Sequence, residues 1–534
     1  MQVMMTSTDE NDDFTPTARE AFHTDPSLCQ SILSIPTVIT SVPLQIKSSR
    51  ISLGSGLFLS SSSSSIESGR EIFRSKPFMW APDRFFSPNI CEACGEEDEE
   101  TTRACSGCQV AKFCGKKCQK LGWQLFHRDE CNTLKNIKEM KSQNLLCHRV
   151  VWWQQRGFVT NKVGKWVERM ESHFRDWTDK EECQEIFDVA MAVREETGGK
   201  VNVGFVWDLV PKMRTNCVRL RPATKKESVG FALDLVTATI NHSCDPNAFV
   251  FWEKGEVRVR SLRKIEAGEE VTICYVDPTI DVATRGEMLE KEHFFTCRCL
   301  RCKAEEKEET GWLKAAGGKF IAFRKAQKDI INLTKSAVKA SKFPGIYKEY
   351  EDLGGIETKL RTIMCSTFPA TQWPDIIEPV PLARLCLAIL YLDQGKVDHA
   401  VRNALKGKLM SRRRSGPEWV NEMMDVIQVL MVAGSLRPDD AIYKQDPTFP
   451  TSTYIQTVTY GYMYETCKKA GEIFGGGSEY TKGICDLFAK LMEQRRIVEG
   501  ATLPGSKEFE REFEEAQGKL MEWAVVPKHY GILI

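Results

Sequence analysis

Asn241-His242-Ser243-Cys244-Asp245-Pro246-Asn247 follows an apolar run over residues 231–240, and Glu269-Glu270-Val271-Thr272-Ile273-Cys274-Tyr275 lies downstream of it. A buried segment that ends in Asn-His-Ser is costly unless each polar group finds a partner, so the heptapeptide reads as a site and not as packing. Its Asp-Pro-Asn predicts a tight turn. Residues 249–252 and 257–260, separated by Lys254-Gly255, predict two strands joined by a short turn. On residues alone this is a polar turn carried on a β scaffold.

At 534 residues the chain is too long for one core, and three or more units are expected. Lys plus Arg and Asp plus Glu number 73 each, so the formal net charge is zero and a chain-wide grip on nucleic acid is not favoured. No run of about 18 apolar residues occurs, and the polar, acidic start does not match a signal peptide. A soluble protein of the nucleus or cytoplasm, without membrane association, is the expectation. The 20 cysteines are bunched in close pairs, which favours zinc thiolate sites in a reducing compartment over a disulfide framework. Scattered ones such as Cys365 and Cys467 read as small buried apolar residues.

The densest spacing signal is Cys91-x2-Cys94, Cys105-x2-Cys108, Cys114-x3-Cys118 and His127-x3-Cys131. Eight soft ligands supply two tetrahedral sets, as closed structural zinc sites require. Spacing leaves sequential and interleaved pairings open. Lys112, Lys116, Lys117, Lys120 and Arg128 give this stretch a basic side, read as a solvated face. Further on, Cys297-x-Cys299-x2-Cys302 offers three thiolates, one short of a closed site, and Cys244 can supply the fourth from across the fold. Near the start, Leu53-Gly54-Ser55-Gly56-Leu57-Phe58 predicts a turn whose backbone N–H groups can approach a charged ligand. Serines 60–65 read as a flexible loop, and residues 134–194 as charged helix with exposed tryptophans. From about Gly311 onward, apolar residues recur at helical spacing, and Leu385-x2-Ala388-x2-Tyr391-x3-Gly395-x4-Ala400-x3-Ala404 resembles one tetratricopeptide repeat.

Taken in their order along the chain, the motifs resemble the SET-and-MYND (SMYD) protein-lysine methyltransferases, closely over roughly residues 44–305 and more loosely beyond. The resemblance implies an α+β multidomain fold: a SET β-fold split by a MYND zinc finger and a helical insertion, then a post-SET zinc site and an all-α, TPR-like C-terminal domain. The boundaries it implies are a disordered segment at 1–43, the SET N-terminal part at 44–90, MYND at 91–131 and the insertion at 132–228. The SET core follows at 229–280, post-SET at 281–305 and the helical domain at 306–534. It implies three structural Zn²⁺ ions. Cys91, Cys94, Cys114 and Cys118 hold the first, Cys105, Cys108, His127 and Cys131 the second, and Cys244, Cys297, Cys299 and Cys302 the third.

S-adenosylmethionine is the implied cofactor, held by Gly54, Ser55, Gly56, Asn216 on a strand, Asn241, His242, Tyr275 and Phe295, with His173 near its rim. Tyr275 takes the place of the catalytic tyrosine. Leu53 stands where the family often has a basic residue or Asn, and His293 where it usually has a second channel tyrosine. The implied partners are a substrate lysine and proteins bound through the MYND and helical regions, with the chain a monomer. A different class of function, a catalytically weak scaffold or transcriptional co-regulator, is the rival expectation.

Overall fold

The computed structural model describes residues 33, 37–52, 54–137, 140–157, 161–224, 228–315, 317, 319–342, 353–367, 376–496 and 502–532. Leu53 and most of the segment 1–43 lie outside these residues. Its strands are β1 (Val38–Thr40), β2 (Leu44–Ser48), β3 (Ser55–Leu59), β4 (Glu71–Ser75), β5 (Met79–Pro82), β6 (Arg103–Ala104) and β7 (Lys112–Phe113). They continue with β8 (Val218–Leu220), β9 (Gly230–Leu233), β10 (Asn241–His242), β11 (Ala248–Glu253), β12 (Glu256–Ser261) and β13 (Thr272–Ile273). They form small sheets of order β1-β4-β12-β11, β2-β3, β5-β9-β8, β10-β13 and β6-β7.

The expected hairpin is β11–β12, paired from Ala248↔Ser261 to Glu253↔Glu256. Its two turn residues, Lys254 and Gly255, have φ of 53° and 74°. Positive φ at both central positions matches the right-handed twist of the flanking strands. A Cβ on Gly255 would stand 2.4 Å from the carbonyl oxygen of Cys94, so this turn also abuts the cysteine-rich module. Val257, Val259 and Ser261 of β12 point inward, and the residues between them are half-exposed, as the pleat dictates.

Four expectations need correction. Residues 38–40, assigned to the unstructured start, form β1 and pair antiparallel with β4, because Val38 packs on the core beside that strand. Trp152 and Trp166 are buried, and Trp166 packs into the core that also holds Phe73 of β4 and Val259 of β12. Ser60 is likewise buried within a hydrogen-bonded turn, its hydroxyl 2.9 Å from that of Ser62. Cys467 is not a lone apolar residue but forms a disulfide with Cys485, and Cys365 is exposed. Helices Ser452–Phe474 and Glu479–Arg496 fold back across the glycines at 475–477, which brings the two sulfurs together.

The C-terminal half is helical, with a core that includes Trp419, Tyr462, Phe509 and Phe513. The repeat-like motif forms a hairpin of helices Val380–Asp393 and Val397–Leu409. Ala388, Ala400 and Ala404 are buried between them, and small side chains there let the axes approach. Phe474 stands edge-on to Phe249 and Phe251, with centroids 5.6 and 5.8 Å apart, and Arg260 Nε donates to Ile473 O at 2.9 Å. These contacts dock the helical half onto β11 and β12. Among the described residues, no helix is long and apolar enough to cross a membrane.

Candidate active site and metal centres

Two groups of four ligands close within residues 91–131. The ligand atoms of Cys91, Cys94, Cys114 and Cys118 lie within 4.8 Å of one another, as do those of Cys105, Cys108, His127 and Cys131. The chain brings the pairs together in the interleaved order. Neighbouring atoms are 3.7 Å apart for Cys94–Cys114, 3.5 Å for Cys114–Cys118, 3.9 Å for Cys105–Cys131 and 3.7 Å for Cys108–His127. Four thiolates about 2.3 Å from one zinc ion stand about 3.8 Å apart, so the donor sets fit such an ion. The helix Lys116–Gly122 carries Cys118 to the first group, and a π turn over Trp123–His127 followed by the helix Arg128–Asn136 carries His127 and Cys131 to the second.

Behind His127 lies an ionic cluster that the sequence reading missed. His127 Nδ1 faces Glu130 Oε1 at 3.5 Å. Both Glu130 oxygens accept from Arg149 at 2.7 Å, and Arg149 also donates to Glu92 at 2.8 Å and to the Trp80 carbonyl. Glu130 and Arg149 are completely buried, and Arg84 closes the chain on Glu92 at 2.9 Å. An i, i+3 His–Glu pair in a helix next to a Cys-His motif is the signal that could have revealed it, since metal-bound imidazoles are oriented by a second partner.

The third group joins distant pieces of chain. Cys244 Sγ lies within 4.8 Å of the sulfurs of Cys297, Cys299 and Cys302. Two arginines, also missed, brace the joint. Arg285 donates to Ile280 O at 2.5 Å and to Glu305 at 2.5 Å, with Cys302 Sγ at 3.9 Å. Arg301 donates to Cys244 O at 2.9 Å and Pro278 O at 2.7 Å.

The Asn-His-Ser turn satisfies its polar groups internally. Asn241 Nδ2 donates to Ser55 O at 3.0 Å and Glu270 Oε1 at 2.7 Å, and Ser49 Oγ donates to the same carboxylate at 2.9 Å. Buried Asn247 accepts from Thr272 N and donates to Glu270 O, both at 2.8 Å. Tyr275 N–H donates to His242 Nδ1 at 3.0 Å, so the ring proton resides on Nε2, 3.2 Å from Cys244 Sγ. The Tyr275 hydroxyl donates to Ile240 O at 2.7 Å, and burial raises its pKa, keeping it protonated.

Gly54, Ser55, Asn216, Asn241, His242, Tyr275 and Phe295 all line one cleft of about 2160 Å³ that runs between the β region and the C-terminal helices. Gly56 does not line it. A Cβ there would meet Glu270 Oε1 at 2.2 Å, so the missing side chain makes room for Glu270. Asn216 is the last residue of the helix Val203–Asn216 and not part of a strand; its amide donates to Glu171 O at 2.8 Å and Lys212 O at 3.0 Å, bonds that cap the helix end. His173 is at the rim, 3.0 Å from Asp176 and with its ring 5.0 Å from that of Phe294. Rings of Tyr275, His293, Phe295 and His242 converge, with centroids 4.8 Å apart for Tyr275–His293 and 5.6 Å for His242–Phe295. Burial depresses the His293 pKa to about 4, so the imidazole is neutral at neutral pH. The arrangement can seat a polar ligand against the turn and presents a wall of aromatic rings, His293 and Phe295, beside the Tyr275 phenol.

Comparison with known proteins adds relatives to this geometry. The SET domain family model matches residues 89–276. Histone-lysine N-methyltransferase SMYD3 of Mus musculus is 32% identical over 252 residues, 45% of this chain and 58% of its own length. The SET domain and MYND-type zinc finger protein 6 of Schizosaccharomyces pombe is 26% identical over 253 residues, 46% of this chain and 50% of its own. Histone-lysine N-methyltransferase ASHR1 of Arabidopsis thaliana is 27% identical, covering 44% of this chain and 50% of its own. The chain thus spans 50–58% of the length of these three relatives.

Proposed function

Because this chain carries a SET domain of the SET-and-MYND (SMYD) type, we propose that it is an S-adenosylmethionine-dependent protein-lysine N-methyltransferase, acting on a histone or another protein. The single observation that carries the reading is the convergence of Ser55, Asn241, His242, Phe295 and Tyr275 on one cleft from four separate stretches of chain. The polar turn would hold the cofactor through its backbone, since the Asn241 side chain is engaged with Ser55 and Glu270. When bound, the cofactor supplies an electrophilic methyl group on a sulfonium.

The chain's own task is then alignment and dehydration. A lysine amine, with an ordinary pKa of about 10.4, must lose its proton, and an aromatic passage disfavours the charged form. Neutral His293 adds no positive charge there. The Tyr275 hydroxyl, anchored on Ile240 O, would orient the amine for in-line attack. Zinc ions in the three cysteine-rich groups would be structural: each set supplies four protein ligands and leaves no open position. The third would clamp the segment after His293 to the Asn-His-Ser turn. Leu121, Trp123 and Leu125, exposed on the cysteine-rich module, support its use as a protein-binding surface.

The test is Tyr275→Phe with labelled cofactor and a peptide array. Transfer falls by at least about a hundredfold while zinc content and fold persist, since the lost hydroxyl costs only about 1 kcal/mol of stability. Unchanged turnover removes Tyr275 from the reaction. Calorimetric titration with S-adenosylmethionine separates this reading from a scaffold, for which no binding is expected.

A further inference from the structure

A fifth sulfur stands beside the third four-thiol group. Cys274 Sγ, Cys244 Sγ and a ring nitrogen of His242 lie within 4.8 Å of one another. They do not make a second metal centre. His242 already receives the Tyr275 N–H on Nδ1 and turns its Nε2 proton toward Cys244. A thiol without a ligand role therefore faces one that has such a role.

The backbone builds this proximity. Strands β10 and β13 run parallel with His242 opposite Ile273, and Ser243 N–H donates to Ile273 O at 2.9 Å. Cys274 is the next residue beyond β13, and Cys244 is two beyond β10. In this register Cys274 stands opposite Ser243, and the turn that begins after β10 carries the Cys244 sulfur to within 4.8 Å of that of Cys274. Cys274 is half-buried on the wall of the cleft, which gives a small oxidant access to it, whereas Cys244 is fully buried behind it.

We propose that Cys274 is an oxidation site: hydrogen peroxide joins it to Cys244 in a disulfide, and the four-thiol group, deprived of one ligand, releases its ion. This rests on reading that group as a zinc centre. The Cys274 thiolate attacks the peroxide O–O bond, forming a sulfenic acid and expelling hydroxide. The Cys244 thiolate then attacks the Cys274 sulfur and displaces its hydroxyl as a second hydroxide. Counted from a Cys274 thiol and a Cys244 thiolate, the products with the disulfide are one water and one hydroxide. The two sulfurs lose two electrons, and the peroxide oxygens gain them.

Cys297, Cys299 and Cys302 are then left as an open three-thiolate set. His242 loses its sulfur partner, and Tyr275, adjacent to Cys274 and tied to His242, loses its register with Ile240. Oxidation at one pair of sulfurs thereby dismantles the clamp and the phenol's position together.

The full chain, purified with zinc bound, is treated with hydrogen peroxide and read by zinc release to a chromogenic chelator and by non-reducing peptide mapping. The expected result is one ion released, a peptide pair linked through Cys244 and Cys274, and reversal by a thiol reductant with added zinc. Cys274→Ala keeps its zinc content before treatment and releases that ion at least about tenfold more slowly; Cys274→Ser serves as the second variant. Cross-links confined to Cys297, Cys299 and Cys302, or wild-type release in both variants, overturn the proposal. A chain holding only two zinc ions before treatment overturns the zinc reading instead, and the map alone then decides whether Cys244 and Cys274 pair.

Discussion

Replacing Arg149 by methionine keeps most of the side chain's length and removes its charge from a fully buried ionic cluster. Glu130 loses two bonds of 2.7 Å and Glu92 one of 2.8 Å, while the guanidinium also leaves its place 4.0 Å over the Phe126 ring. Glu92 retains Arg84 at 2.9 Å, but the neighbour left to Glu130 is His127 at 3.5 Å. Stranding one partner of a buried pair costs about 3–5 kcal/mol; with Arg84 still serving Glu92, we take about 3 kcal/mol, roughly a 150-fold rise in local opening.

The assay is hydrogen exchange of the helices Ser142–Gln155 and Arg128–Asn136, because a chain with several cores does not unfold in one step. Protection of both helices falls together, and chelators strip the ion at His127 faster, since Glu130 no longer has a fixed position from which to orient the imidazole. Adding Glu130→Gln to Arg149→Met removes the stranded charge and restores part of the protection. Protection within about threefold of wild type in the single variant, or a double variant weaker than the single, would refute the reasoning.

Cys299→Ser lowers metal content by one ion and depresses methyl transfer by about tenfold or more, although Cys299 does not line the cleft; full activity in a zinc-depleted variant excludes the clamp. Gly56→Ala sets a Cβ 2.2 Å from Glu270 Oε1, which must release Asn241 or Ser49. Cofactor affinity measured by calorimetry then drops about tenfold or more, and an unchanged value shows that the turn does not depend on Glu270. Burial depresses the His148 pKa from 6.5 to about 4, against the opposing charge of Glu130. An imidazole kept neutral in the fold contributes stability that is complete above about pH 6.5 and is lost as pH falls toward 4. Hydrogen-exchange protection of the helix Ser142–Gln155, corrected for the intrinsic pH dependence of exchange, declines over that window, and His148→Leu flattens the decline.

The ligands at 91–131 could be read from the chain because metal chemistry demands particular residue types a turn apart. The hairpin could be read because Lys254-Gly255 divides the apolar run 249–252 from the alternating Val257-Arg258-Val259-Arg260. The misreadings have a common origin. Asn216 stands where the resemblance implies a strand, yet the helix Val203–Asn216 continues through Pro211, and its end is capped by that asparagine's own side chain. The Gly-x-Gly suggested close approach to a ligand, whereas Gly56 yields its space to a glutamate more than 200 positions downstream.

Sequence alone determined which residue types were available for chemistry, because thiolates, imidazole and the Asn-His-Ser turn are recognisable by local spacing and by the cost of burying them unpaired. Only the tertiary structure decided the other partners: Arg149 between two glutamates, Glu270 against Gly56, and Cys274 against Cys244. Those pairings depend on burial and on the register of β10 against β13, and both arise only when distant segments share one core.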